Sequence, residues 1–415
     1  MARKRIGLDL REFENTLELF EREHAHPLDI EDFHHVQAFA LGAIAALSRP
    51  DLKSGSCLEL VPCNLAHEGS RWAWDGMGLA ELIDGTPLRV PGEPGRTAKL
   101  RRIDSRREVG AQSSKMAALV APRSGELQRV LGYVFDELLR NVLQHSHDAL
   151  GGIACAQRMD PGSGYPHTSI QLVVADNGIG IRSSLASTFG EDLSAHEALV
   201  HSMEPHVSGA FSPGAYGSHE NAGLGLFVVS EIVRRTAGRL MLATRGGSIF
   251  IEGDADFGSN HRMRKSSLGY PGTLAAFELP IIGKDDSEMP DLEFQNLLAA
   301  ILRKADEQRQ RSSMHRVINY ESPPAGARHM LVAMSIGSLE ASATMRAALV
   351  RALERGESIC LSFLNVALAT QSQIHALLFD VIRRARDLNS LIWVEHCAPE
   401  VVIVLDFVQG YALST

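Results

Sequence analysis

The chain of 415 residues is short of the features that mark several large classes of protein. It has five cysteines, Cys57, Cys63, Cys155, Cys360 and Cys397, an odd number with no C-x-x-C pair. A disulfide framework or a structural zinc site is therefore not expected, and a reducing cytoplasm is the expected compartment. No run approaches the ~20 apolar residues that a membrane-spanning helix needs. The opening MARKRIGLDLREFENTLELF carries basic residues, but charges interrupt its apolar positions and no signal-peptide core forms. An excess of positive charge is lacking too: 41 basic against 50 acidic residues leave a formal net charge of −9. That argues against a nucleic-acid surface as the main business of the chain. Simple repeats and low-complexity tracts are missing. The expectation is a soluble protein with no nucleic-acid and no membrane partner.

What is present is globular. Hydrophobic residues make up 45% and charged residues 22% of the chain, and the length asks for two or three domains. Residues 1–118 mix helical and strand-like segments and read as an N-terminal α/β domain without a motif. Within them, DFHHVQAFALGAIAALSR has helical apolar spacing and SCLELVPC is a short strand. RWAWDGMGLAELIDG reads as a helix capped at Gly85. The basic, turn-rich stretch VPGEPGRTAKLRRIDSRREVGAQSSK reads as a boundary.

The next segment, SGELQRVLGYVFDELLRNVLQHS, starts a helix at Ser124. Leu127, Val130, Leu131, Val134, Leu138 and Val142 form its apolar stripe. Glu137 and Asn141 lie four apart on one face at the stripe's edge. Strands follow at TSIQLVVADN, RLMLATRGGSIFIEG and GTLAAFELPI. A region rich in Gly, Ser and His intervenes from about 182 to 222. Further on, LEFQNLLAAILRKADEQRQRSS reads as a connecting helix over 284–327.

Three segments carry chemistry together. Glu137-x-x-x-Asn141 alone is a common solvated helix face. Asp176-Asn177-Gly178-Ile179-Gly180 after a strand is by itself a turn signal. Gly223-Leu224-Gly225 before an apolar helix is weak alone. Their order, with a long loop between the second and third, is restrictive.

In that order they resemble the N, G1 and G2 boxes of the GHKL ATPase superfamily (gyrase, Hsp90, histidine kinase, MutL), which has the Bergerat fold. FDELLRNVLQHS is similar to the N box, VVADNGIGI to the D-x-G-x-G box and NAGLGLFVV to the G-x-G box. PGTLAAFELP is similar to the last box, and the resemblance covers about residues 119–283. It implies an α/β sandwich that binds ATP with Mg²⁺. Asp176 then accepts from the adenine amino group, as an acceptor-only carboxylate can. Gly178 and Gly180 admit the nucleotide, and Thr273 supports adenine recognition. Asn141 matches the Mg²⁺ ligand, an oxygen donor of the hard kind. Gly223, Leu224 and Gly225 match the loop that meets the phosphates at a helix N-terminus. Glu137 matches the carboxylate that polarises the attacking water or acceptor hydroxyl.

A histidine kinase also needs a phosphoacceptor His-Glu on a dimerising helix pair. His196-Glu197 falls inside the lid instead. HEALVH spaces its histidines five apart rather than four, so a zinc-protease site is rejected. His145 and His147 read as structural or lid-facing. From about 328 the chain alternates HMLVAMSI (strand), EASATMRAALVRALERG (helix), SICLSFLNV (strand), TQSQIHALLFDVIRRARDLN (helix), LIWVEHC (strand) and PEVVIVLDFV (short helix). The pattern is similar to STAS-like domains attached to GHKL modules in bacteria. Those that are phosphorylated carry Ser or Thr at a helix start, where Thr370 and Ser372 stand here. The usual Asp-Ser-Ser-Gly is absent, and both residues also read as helix caps. The resemblance thus implies a bacterial signalling protein that hydrolyses ATP or passes phosphate to a protein Ser/Thr. An ATP-gated interaction switch with little catalysis is the alternative. Either way a protein partner meets the N-terminal or STAS-like part, and a homodimer stays open.

Overall fold

A computed structural model of the chain describes residues 6–22, 28–29, 33–49, 58, 60–61, 72–84, 95–105, 107–162, 167–205, 207, 224–253, 261–281, 294–307, 317–336 and 338–413. Strands β1 (Ile6–Leu8), β2 (Leu28–Asp29), β3 (Phe33–Val36) and β4 (Leu60–Val61) open the chain, with helices α1 (Phe13–Arg22), α2 (Ala38–Leu47) and α3 (Leu79–Asp84). They form two small parallel pairs, β1 with β3 and β2 with β4. The stretch read as one helix over 32–49 divides here: Phe33–Val36 is strand, and only Ala38–Leu47 is helix. The helix read over 71–85 splits into a π-helical turn, Trp72–Gly76, and α3, while Gly85 lies outside the described residues.

The centre is an antiparallel seven-stranded sheet in the order β10-β9-β8-β11-β7-β6-β5. These strands are β5 (Thr97–Ile103), β6 (Gly152–Met159), β7 (Thr168–Asp176), β8 (Arg239–Thr244), β9 (Gly247–Glu252), β10 (Arg262–Ser266) and β11 (Thr273–Ile281). The stretch read as a boundary instead supplies the edge strand β5 and helix α4 (Val109–Val120), which packs on α5 (Gly125–His145). Lys99, Arg101 and Arg102 give that strand a polar sequence because an edge strand keeps charge outward.

Why β7 is largely apolar on alternate and adjacent positions alike is clear from its two faces. Ile170, Leu172 and Val174 join the core under α5 and α8 (Gly225–Arg235). Val173 and Ala175 join a second core with α2 and α1. A sheet buried on both faces has no polar side to alternate with. Helix α2 is buried along its whole length, and a Cβ on Gly42 would come 2.6 Å from Val173 Cγ1. The first turn of α2 has no capping side chain of its own. The sheet supplies one instead: Ala38 N donates to Gln157 Oε1 at 3.1 Å and Phe39 N to Gln171 Oε1 at 2.8 Å.

Residues 182–222, read as a long lid loop, begin as helices α6 (Gly180–Phe189) and α7 (Ala195–His201). Residues 208–223 lie outside the described residues. Helix α9 (Phe294–Glu307) docks on α8 through Lys304, 2.8 Å from both oxygens of buried Glu231. The C-terminal part has a parallel sheet, β12-β15-β14-β13. Its strands are β12 (Ile318–Asn319), β13 (Arg328–Leu331), β14 (Ile359–Ser362) and β15 (Ile392–Glu395). The stretch read as one strand at 329–336 is β13 followed by the one-turn α10 (Ala333–Ile336). Helices α11 (Leu339–Glu354), α12 (Gln371–Asp387) and α13 (Pro399–Leu413) pack in sequence, and α13 is longer than its apolar run suggested. Its side chains share the core that lies under α5, so the central and C-terminal parts are one packed body. Among the described residues no helix is long and apolar enough to cross a membrane.

Candidate functional site

Helix α5 begins where Ser124 Oγ accepts from Leu127 N at 3.2 Å, and its apolar stripe fixes which way Glu137 and Asn141 point. Asn141, Val142, His145 and Ser146 line one wall of a cavity. Asp176, Gly180, Ile181, Leu242, Thr273 and Ala275 line the opposite wall, and Gly225 with Leu226 closes an end. The three motif segments therefore meet around one cavity, although the residues are far apart in sequence. Gly223 lies outside the described residues, and Leu224 is buried just before α8.

Asp176 ends β7, opposite Thr273 in register. Its Oδ1 accepts from Gly178 N at 2.8 Å and Thr273 N at 3.3 Å. Burial pushes its carboxyl up to about 7, against the pull of the Gly178 N–H. Gly178 and Gly180 owe their lack of a side chain to the protein as well as to any ligand. A Cβ on Gly178 would lie 1.9 Å from Ser146 O, and Gly180, at φ +76°, has Thr244 Oγ1 in the way at 2.5 Å.

The loop after Asp176 is held from behind by the N-terminal part. Asn177 Nδ2 donates to Ala46 O at 2.6 Å, and Asn177 N to Asp148 Oδ2 at 3.0 Å. Asp148 in turn pairs with Arg49 at 2.9 Å, both side chains nearly buried. Thr244 Oγ1 accepts from Ile181 N at 2.9 Å and steers the start of α6. Sequence reading missed Thr244, Asp148 and Arg49. No motif marks them, because their partners come from distant segments.

Glu137 is buried, and a Cβ on Gly225 would stand 2.4 Å from its Oε2 and 3.6 Å from Asn141 Nδ2. Carboxylate, amide and the first turn of α8 thus crowd one spot. Burial, with Asp136 beside it, pushes Glu137 up to about 7 against Arg140 and the hydroxyls of Thr370 and Ser372. These hydroxyls belong to the C-terminal part. Ser372 Oγ donates to Glu137 Oε2 at 3.0 Å, and Gln373 Nε2 to Asp136 Oδ1 at 3.1 Å. Tyr133 donates its hydroxyl to Gln371 Oε1. Thr370 caps α12 in a capping box with Gln373, as the cap reading expected. Ser372 lies inside the first turn of α12, and its hydroxyl is spent on Glu137.

The fit to Mg²⁺ can be tested on Asn141. Its Nδ2 is buried and without a hydrogen-bond partner among the described residues. A buried amide with a free end is costly unless something else fills the place. Turning the amide presents its oxygen there, the donor that a hard cation takes. His145 lines the cavity, whereas the two histidines of HEALVH go separate ways. His196 Nε2 meets Ser266 O at 2.7 Å, and His201 stacks on Phe189.

No curated protein matches the chain at a significant level. Residues 126–261 match the family described as histidine kinase-, DNA gyrase B-, and HSP90-like ATPase. The match covers about a third of the chain, from the first turn of α5 to the start of β10. Residues 126–261 thus form a GHKL-type ATPase domain, with residues on either side that the family match does not cover.

Proposed function

We propose that the chain is an ATP-binding regulatory protein that holds Mg-ATP between Asp176 and Asn141 and directs its γ-phosphate to water or to a protein Ser/Thr hydroxyl. The observation that carries this is the buried Asp176 carboxyl facing a cavity that Asn141 and Gly225 also line, with Glu137 packed directly behind Gly225. In this reading Asp176 accepts from adenine, with Gly178, Gly180 and Thr273 shaping the pocket. Gly223, Leu224 and Gly225 bring backbone amides to the phosphates, and Asn141 gives its oxygen to Mg²⁺. Bound Mg²⁺ supplies neutralisation of phosphate charge. Glu137 takes the proton of the attacking hydroxyl, and its elevated affinity for protons near neutral pH suits a base. Residues 328–415 act as a STAS-like regulatory unit, and cytoplasmic signalling is the setting.

A second reading rests on the seal over Glu137. The hydroxyl nearest the base belongs to Ser372, so the C-terminal part either receives the phosphate or stands in the way of water. In the first case the Ser372 O–P bond forms as the bond to ADP breaks, and the Ser372 proton goes to Glu137. In the second case the protein is an ATP-gated switch with little turnover, and α12 must leave before a partner or water reaches the site.

The test is incubation of the full chain with γ-labelled ATP and Mg²⁺, with free phosphate, labelled protein and intact ATP separated. Phosphate release lost in Asp176→Asn and Glu137→Gln establishes hydrolysis. Label on the chain that disappears in Ser372→Ala establishes transfer. Intact ATP, with binding that still needs Asp176, establishes the switch. Absence of any ATP binding by the unmodified chain refutes the reading.

A further inference from the structure

The C-terminal sheet brings three metal-binding side chains together on neighbouring strands. His329 on β13 pairs in register with Cys360 on β14, so both point to the same face. Cys360 pairs with Trp393 on β15, and Glu395 lies two residues further along the same face, opposite Ser362. The imidazole nitrogen, thiol sulfur and carboxylate oxygen all lie within 4.8 Å of one another. His329 Nδ1 is already 3.1 Å from Glu395 Oε1. Among the described residues this is the one such group of three His, Cys, Asp or Glu side chains.

We propose that His329, Cys360 and Glu395 form a zinc site. A tetrahedral Zn²⁺ takes nitrogen and oxygen at about 2.0–2.2 Å and sulfur at about 2.3 Å, which places ligand atoms some 3–4 Å apart. His329 Nδ1 and Glu395 Oε1 already have that spacing, and all three atoms lie within 4.8 Å of one another, so side-chain rotation would bring them together around one ion. The donor set also selects the ion. A thiolate disfavours Mg²⁺ and Ca²⁺, while thiolate, imidazole and carboxylate together suit Zn²⁺.

Cys360 is buried between β13 and β15. Coordination to zinc would remove its thiol proton. His329 is exposed at 54% and opens the site to solvent on one side. His396, held at φ +56°, stands beside the group with Nδ1 3.7 Å from Glu395 Oε1 and 3.0 Å from Ser362 Oγ, and is not one of the three ligands. The site stands apart from the ATP cavity, and its existence does not depend on nucleotide binding.

The experiment uses the full chain, stripped of metal and dialysed against Zn²⁺, with bound metal counted by plasma mass spectrometry. One zinc per chain is expected. Cys360→Ser and His329→Ala should each weaken binding by more than the ~10–100-fold that even an outer-sphere partner is worth. His329 is exposed, so its removal leaves the fold intact and keeps the test fair if Cys360→Ser misfolds. Co²⁺ in place of Zn²⁺ should show a sulfur-to-cobalt charge-transfer band that disappears in Cys360→Ser. Zinc bound equally by the unmodified chain and by His329→Ala overturns the proposal. So does a cobalt spectrum with no thiolate band.

Discussion

Placing a carboxylate at position 372 should pry the C-terminal part from the ATPase domain, and it should do so only when Glu137 is ionised. The Ser372 hydroxyl now donates to Glu137 Oε2 at 3.0 Å in a fully buried setting. A hydrogen bond to a charged group contributes about 1.5–3 kcal/mol, and Ser372→Asp removes that donor. It also sets two carboxylates about 4 Å apart, a repulsion of about 4 kcal/mol at an effective dielectric constant near 20. Protonation offers an escape. Glu137 holds its proton up to about pH 7, so at pH 6 it can donate to the new carboxylate and the contact survives. At pH 8.5 keeping that proton costs about 2 kcal/mol, from 1.36 kcal/mol per pH unit. The open form should therefore rise about 30-fold in population between pH 6 and 8.5. Hydrogen–deuterium exchange reads this directly, with each variant compared with the unmodified chain at the same pH. Amides in α5 around Tyr133–Asn141 and in the first turns of α12 should lose protection in Ser372→Asp at pH 8.5 and much less at pH 6. Ser372→Ala, which lacks the repulsion, should show little pH dependence. Equal protection of Ser372→Asp and the unmodified chain at pH 8.5 would refute the reasoning, as would equal loss at both pH values.

Asp176 should behave as a residue that weakens the empty fold. Its carboxyl moves from 3.8 to about 7 on folding, so its contribution is full below pH 3.8 and is lost as pH rises through 7. The loss amounts to about 4 kcal/mol at pH 8, and Asp176→Asn should raise the melting temperature more at pH 8 than at pH 5 while nucleotide binding disappears. Glu137→Gln should keep ATP binding in a calorimetric titration and lose phosphate release or transfer, since it preserves shape and removes the base. Gly225→Ala drives a methyl to 2.4 Å from Glu137 Oε2, and should cost about 1–3 kcal/mol of stability, read by thermal denaturation. Arg49→Ala leaves Asp148 buried without its cation and should destabilise by about 3–5 kcal/mol, with ATP affinity falling as the Asn177 loop loosens.

The cavity was legible where short motifs fix residues a few positions apart. Asp176-x-Gly-x-Gly, Glu137-x-x-x-Asn141 and the turn into α8 are local, and their order announces one cavity. The α/β class was legible for the same reason, since β7 and β11 are largely apolar stretches; RLMLATRGGSIFIEG, read as one stretch, divides into β8 and β9 as a hairpin. What was not legible depends on partners far along the chain. Strand β5 looks like a linker because its edge position keeps Lys99 and Arg101 only half-buried and Arg102 exposed. Strand β10, RMRKS, is mostly exposed and offers a single apolar residue, Met263, as its signal. Phe33–Val36 was absorbed into a helix because the apolar spacing of α2 runs back through it. The zinc ligands escape any spacing rule, for His329, Cys360 and Glu395 come from three separate strands and meet only through register.

The two flanking parts touch the ATPase domain at two different places around the cavity, and that placement bears on what they do. The N-terminal part grips the loop after Asp176, through Ala46 O on Asn177 and through Arg49 on Asp148. The C-terminal part grips Glu137 and Asp136 through Ser372 and Gln373. A flank that served only as a tether would be expected to bury apolar surface away from the cavity, because buried polar pairs add little net stability and demand accurate geometry. Here polar pairs are buried beside the Asp176 loop at one end and beside Glu137 at the other. Anything that shifts the Asp176 loop must disturb α2, and anything that takes Glu137 to a phosphate acceptor must first release Ser372. Occupation of the cavity is thereby coupled to both flanks through different residues, and the coupling must run in both directions. A ligand for the C-terminal part that pulls α12 away would raise the reactivity of Glu137. A nucleotide that draws Glu137 toward its phosphates would loosen α12 in turn. Separate loss of the two couplings, by Arg49→Ala at one end and Ser372→Ala at the other, should therefore give effects on nucleotide affinity that add, since the two contacts share no residue.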